Sequence, residues 1–108
     1  MTLRFSEGDI RFRVMTSELD ALIAGKTLTL ISFPITAEIR AKELSGSKKF
    51  SLRAEGAQLW VEISKKELEL LTSKLPSREG IDEVIILNSG TELSVSFEVD
   101  IKSKQGNL

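Results

Sequence analysis

Apolar and polar residues alternate strictly along several short segments of the chain. In the clearest of them, Ile10, Phe12 and Val14 alternate with Arg11 and Arg13. Because successive side chains of a β-strand point to opposite faces, this period predicts a strand with one buried face. The same period, or one close to it, recurs over residues 35–42, 50–54, 59–63 and 93–100.

Two further segments are apolar on both sides. In residues 27–33, Leu28 and Leu30 oppose Ile31 and Phe33, and residues 83–88 show the same pattern. A strand that is apolar on both faces is typical of a position covered on both sides. The short helix that precedes each segment is the expected cover.

Two short helices are predicted between these strands. Thr16 and Ser17 offer an N-cap for the first helix, and Gly25 is placed to end it. The second helix starts at a capping-box sequence from Ser64 to Glu67 and runs to about Lys74. At two to three turns, each helix depends on packing rather than on its own propensity.

The same pattern of strand and helix residues occurs twice along the chain. A shift of 49 positions brings Ile10 onto Leu59, Phe12 onto Val61 and Leu22 onto Leu71. We therefore expect a single domain, 1–108, built from tandem ββαββ units at 1–43 and 49–102 with a linker at 44–48. The predicted fold class is α+β and β-rich: a mainly antiparallel small barrel or two-sheet sandwich with two short helices.

The composition limits the kinds of catalytic and metal-binding site that the chain can form. The 108 residues include no Cys and no His, and the net charge is −1. Thiolate and imidazole ligands are therefore missing, and no Asp-rich loop has the spacing of a calcium site, so we expect no metal and no cofactor. The low charge and single Trp argue against nucleic acid. No apolar run is long enough to span a membrane and no secretory signal is visible, so a cytoplasmic protein is the expectation.

The outward positions of the predicted strands differ in charge between the halves. Residues 1–49 carry 8 cations against 6 anions, and residues 50–108 carry 7 against 10. Arg11, Arg13 and Arg40 could form an anion-binding patch on the first half. Alternatively these arginines make cross-strand ion pairs on a solvated sheet face.

Trp60 is the only Trp, and it falls on the polar side of its strand beside Glu62. Exposed aromatic residues are typical of binding surfaces, whereas a local role would pack the ring against a basic stem. The first interpretation predicts a two-fold homodimer, or another protein partner, with Trp60 and Glu62 at the interface. In that dimer Glu62, Glu98 and Asp100 would face the arginines of the second copy.

The chain resembles a family of short bacterial proteins that is described only as a domain of unknown function. The resemblance rests on the basic-apolar opening through Val14, the Thr16–Leu19 helix start and the Gly25-Lys26 step. It continues through Phe33-Pro34 and through residues 90–98, so it covers nearly the whole chain. The resemblance implies no known activity and no catalytic residues.

Two function classes remain open. One is a non-catalytic binding or protein-interaction module that self-associates. The alternative is an enzyme or a carrier of a small anionic ligand, using Arg and carboxylate groups in a barrel mouth. The placement of four arginines distinguishes the two classes. Convergence in one pocket with a carboxylate favours the enzyme or carrier, and a spread over open faces favours the interaction module. The four residues are Arg4, Arg11, Arg13 and Arg40.

Overall fold

The alternating segments form strands, and they assemble in an order that repeats once. The computed structural model describes residues 1–32, 34–75, 80–87 and 89–100. Within those ranges the elements are β1 (Thr2–Ser6), β2 (Asp9–Met15), α1 (Thr16–Ile23), β3 (Leu28–Ser32), β4 (Ile35–Lys42), β5 (Phe50–Glu55), β6 (Gln58–Ser64), α2 (Lys65–Lys74), β7 (Ile81–Ile86) and β8 (Glu92–Asp100).

The strands form two four-stranded sheets, and each sheet contains one hairpin from each half of the chain. Sheet A has the order β1-β2-β8-β7, and sheet B has the order β3-β4-β6-β5. The hairpins are antiparallel, whereas the central pairs β2/β8 and β4/β6 are parallel. The predicted α+β, mainly antiparallel fold is confirmed as two separate sheets, and the described strands do not close into a barrel.

The two halves pair in the same register. Phe12 lies opposite Phe97 in sheet A, and Val61 lies opposite Ile39 at the corresponding place in sheet B. These inward side chains from both sheets are fully buried and form one core. The two units therefore interleave across the sandwich rather than standing side by side, a strand order that the sequence pattern could not predict.

Both helices close one end of the sandwich. They begin where the central strands β2 and β6 end, and they contact each other. Leu19 and Leu22 of α1, with Leu68 and Leu71 of α2, are buried in the common core. We call this end the helix end, and we call the opposite end, which includes the β1–β2 and β5–β6 turns, the hairpin end.

The expectation that the helices cover the outer sides of β3 and β7 is wrong. Ile31 is 76% exposed, Val84 58% and Ile86 70%. The helices pack against the end of the core, so nothing in the described part of the chain lies over these edge strands. The prediction for Phe33 falls outside the described residues.

The helix caps follow the predictions in part. Ser64 Oγ accepts the Glu67 backbone N–H at 3.3 Å, which is one of the two bonds of a capping box, whereas the Ser64 backbone N–H donates to the Lys49 carbonyl. The N-cap of α1 is instead Met15, whose backbone N–H donates to the Glu18 carboxylate at 2.8 Å. Gly25, with a φ of 92°, follows the last turn of α1 and donates to the Leu22 carbonyl, as a C-terminal stop should.

One inward carboxylate links the two sheets. Glu83 of β7 lies opposite the buried Val95 in sheet A. Its carboxylate accepts the backbone N–H groups of Lys49 at 3.0 Å and Phe50 at 3.2 Å, where β5 of sheet B begins. The carboxylate thereby bridges the seam between β7 and β5 and accepts two backbone N–H groups there.

Candidate functional site

Trp60 occupies the middle of the outer face of sheet B. Strand β5 lies on one side of it and β4 on the other, so Arg53 and Glu38 are its direct cross-strand neighbours. A shallow groove of about 500 Å³ surrounds the ring. We call this surface the Trp60 face; it is lined by Thr27, Glu38, Arg40, Ser51, Arg53, Trp60, Val61 and Glu62.

The indole ring has one guanidinium stacked on it. The Arg53 Cζ lies 3.9 Å from the ring centroid, within the range of a cation–π contact. Arg53 is exposed and Trp60 is half-buried. Each interpretation of Trp60 is therefore supported by one observation. The ring packs against a basic side chain, as a local role predicts, and part of its surface still reaches solvent, as a binding role requires.

Glu62 is the electrostatic centre of the Trp60 face. Its Oε2 accepts Arg40 Nη2 at 2.7 Å and Arg40 Nε at 3.2 Å, and Lys42 Nζ lies 3.5 Å away. The Arg40 hydrogen bonds, aided by the charge of Lys42, hold the pKa of Glu62 below its ordinary value, although partial burial acts in the opposite direction. Glu62 is therefore an ionised partner that fixes the Arg40 side chain on β4.

The other two predicted anion ligands lie on a different face. Arg11 and Arg13 project from the outer side of sheet A, where Arg11 pairs with Asp9 at 3.0 Å and Arg13 with Glu98 at 3.5 Å. Because the two outer faces point away from each other, Arg40 cannot join them in one site. The structure therefore does not bring the three predicted ligand-binding arginines together.

The interleaved strand order also brings the oppositely charged halves of the chain together within each sheet. Basic strands of the first half lie beside acidic strands of the second half in the same sheet, so the two signs meet within one molecule. Arg13–Glu98 and Arg40–Glu62 are pairs of this kind. These carboxylates were expected to face a second copy; the structure already gives them partners in their own chain.

Two residues of the Trp60 face were missed by the sequence analysis. Arg53 and Glu38 are brought to Trp60 by strand pairing. The position of Arg53 was within reach, because a tight turn at Gly56-Ala57 fixes the β5–β6 register and sets residue 53 opposite residue 60. The position of Glu38 depends on the parallel β4/β6 pairing between the halves, for which the local pattern holds no signal.

The rest of the described chain offers little to hold a metal. Across residues 1–32, 34–75, 80–87 and 89–100, no three acidic side chains are grouped as a metal site would need. Neither α1 nor α2 is long and apolar enough to cross a membrane. No protein-family model matches the chain, and no curated protein matches it.

Proposed function

We propose that this protein is a non-catalytic interaction module that self-associates through the Trp60 face as a two-fold dimer. The observation that carries the proposal is the half-exposed indole of Trp60 at the centre of an outer sheet face, with Arg53 stacked on it at 3.9 Å. The partner is a second copy of the chain.

The residue types of the Trp60 face support a protein interface. Trp and Arg are enriched among the few residues that carry most of the binding energy in interfaces, and such residues cluster near the centre. Trp60 here has Arg53 beside it on β5 and Arg40 close by on β4. Arg40 is already held by Glu62, so its ordering on association loses little further conformational entropy.

The charge order along β4 supports a second copy as the partner. Glu38 and Arg40 are successive outward residues of this strand and have opposite sign. A two-fold axis that lies in the interface and crosses β4 between them sets Glu38 of each copy against Arg40 of the other. A surface with this order is complementary to itself, which a two-fold interface requires.

The carrier or enzyme alternative has less support. It depends on arginines that converge with a carboxylate in one pocket. Arg4, Arg11 and Arg13 do line one groove on the outer face of sheet A together with Glu98 and Asp100, but Arg40 lies on sheet B. Arg11, Arg13 and Arg40 are each paired with an acidic side chain of their own sheet. The groove on sheet A is one observation in favour of the carrier, whereas the separation of Arg40 and the ion pairs that already hold Arg11 and Arg13 favour the interaction module.

Sedimentation of the wild type and of Trp60→Ala at several concentrations tests the interface. We expect a wild-type dimer and at least about 30-fold weaker association in Trp60→Ala, which corresponds to roughly 2 kcal/mol for a central interface residue. Arg11→Ala is the matched control, because Arg11 holds the corresponding place on sheet A, and it should associate like the wild type. A wild type that remains monomeric at high micromolar concentration contradicts the proposal.

A charge exchange tests the two-fold arrangement itself. Glu38→Arg puts two cations on β4, and Arg40→Glu puts two anions there, so each variant alone should associate more weakly than the wild type. An equimolar mixture should recover association, because unlike charges then face each other across the axis. If both variants dimerise as well alone as when mixed, β4 does not lie on the two-fold axis. Thermal unfolding of each variant shows that both are folded.

A further inference from the structure

The hairpin end of the sandwich contains an apolar cavity. It has a volume of about 260 Å³ and lies between the turns of both sheets, opposite the helices. Its lining residues are Phe5, Ile10, Ile35, Leu52, Ala54, Gly56, Ala57, Gln58, Leu59, Leu87 and Leu93. Gln58 has the single polar side chain among them, and its amide nitrogen donates to Glu38 on the outer face at 3.1 Å.

The cavity results from a difference between the two halves. Phe5 pairs with Ile10 on β1–β2, and Ala54 pairs with Leu59 at the corresponding place on β5–β6. A methyl group therefore stands where the other half has an aromatic ring, and Gly56 and Ala57 add no bulk beside it. A dry apolar cavity of roughly 150 Å³ is enough to bind benzene, so the space here exceeds that of one ring.

The hairpin end also has exposed acidic side chains, which lie outside the lining of the cavity. Glu7 lies in the β1–β2 turn, Glu55 follows Ala54, and Glu92 precedes Leu93. The described residues of the turns at this end, 5–9, 31–32, 34–36, 54–58, 86–87 and 89–93, contain no Lys and no Arg. Within the described residues Asp9 has an Arg partner, whereas no ion pair neutralises Glu7, Glu55 or Glu92. Apolar walls with unpaired carboxylates at the same end of the sandwich match one ligand type: an apolar body that carries a positive charge.

We propose that the hairpin-end cavity binds a small amphiphilic cation, an alkylamine or arylalkylamine. The hydrocarbon part lies against Ile10, Leu59 and Leu93, and the ammonium group remains at the rim beside Glu55. The apolar walls supply affinity through burial of the chain, and the carboxylates select the sign of the headgroup. This site is separate from the Trp60 face and does not depend on dimer formation.

A series of three six-carbon probes separates these two contributions. Hexylamine, 1-hexanol and hexanoate share a chain and differ in headgroup charge, and their binding is followed through the methyl resonances of Ile10, Leu59 and Leu93. We expect hexylamine to bind about three- to five-fold more tightly than hexanol at low salt, and hexanoate more weakly than hexanol. The preference should shrink in high salt. Equal affinity for amine and carboxylate overturns the charge selection.

Two variants with a control test the location. Ala54→Phe restores the ring found in the other half and should abolish methyl shifts with every probe. Glu55→Gln should retain hexanol binding and reduce the preference for hexylamine. Ser6→Phe adds a ring on the outward side of β1 at the same end and should bind like the wild type. Unchanged hexylamine binding by folded Ala54→Phe overturns the site, and methyl shifts confined to residues outside the cavity do the same.

Discussion

The two sheets share one framework on the inside and differ on the outside. At the centre of its outer face, sheet A has Arg11 with Arg4 as its cross-strand neighbour; at the corresponding place sheet B has Trp60 with Arg53. Arg11 bonds to Asp9 two residues away, whereas Trp60 is stacked by Arg53 and faces Glu38. Both faces have ion pairs and a shallow groove, but an aromatic ring lies at the centre of the face of sheet B and an arginine at the centre of the face of sheet A.

The comparison shows where the constraints on the chain differ. Inward positions of both halves are mostly apolar because the two units share one core. Outward positions meet only their strand neighbours and solvent, so Arg11 and Trp60 can occupy corresponding places without a change of fold. Outward positions that differ between the halves are therefore the candidates for function, and inward positions that agree are the candidates for stability.

The largest expected effect is on the free energy of unfolding, and it should differ between substitutions in the two central residue pairs of the core. Phe12→Ala removes a fully buried ring that lies opposite Phe97 and should lower the free energy of unfolding by about 3–5 kcal/mol. Val61→Ala, at the corresponding position opposite Ile39, should lower it by roughly half as much, because fewer buried groups are lost. Urea unfolding of both variants measures the difference. Equal losses would mean that the aromatic pair in sheet A contributes no more than its aliphatic counterpart.

The next effect concerns the seams between the sheets. Glu83→Ala leaves the Lys49 and Phe50 amides without their acceptor and should lower the free energy of unfolding by about 1–3 kcal/mol. Glu83→Gln is the matched control, because its amide oxygen can still accept one of the two bonds, and its loss should be smaller. Amide hydrogen exchange should accelerate at Lys49 and Phe50 in Glu83→Ala. Unchanged exchange there would show that the seam is held by packing alone.

Local pattern predicted the elements of the fold well, for identifiable reasons. The alternation in β2 and β8 follows directly from one buried face, and Ser64 is a cap because α2 starts immediately after a strand. Burial of both sides of β3 and β7 was wrongly inferred from composition. Apolar content shows that a strand tolerates burial, but Val84 and Ile86 show that it does not require it.

The candidate site was predictable only in part, because it depends on pairing between distant segments. Trp60 and Glu62 could be selected from their place on the polar side of β6. The partners that define their surroundings, Glu38 and Arg40, come from β4, whose parallel pairing with β6 is long-range. The same pairing moved Arg40 away from Arg11, so the predicted anion patch was divided between two faces.

The smallest expected effect compares the two cross-strand ion pairs and depends on pH. Glu62→Gln should lower the free energy of unfolding by about 0.5–1 kcal/mol at neutral pH, because Arg40 and Lys42 both lose an ionised partner. Glu98→Gln should lower it by less, since Glu98 has a longer, more exposed contact with Arg13.

The sign of the pH dependence follows from the lowered pKa of Glu62 in the folded state. The stabilisation is fully present above the ordinary carboxyl value of about 4.3 and is lost as the pH falls through the lower pKa of the folded protein. The difference between the wild type and Glu62→Gln should therefore be constant near neutrality and shrink in acid. Denaturation at several pH values, at concentrations where both proteins are monomeric, measures it. A difference that persists unchanged at the lowest pH would mean that Glu62 stabilises sheet B by packing and not by charge.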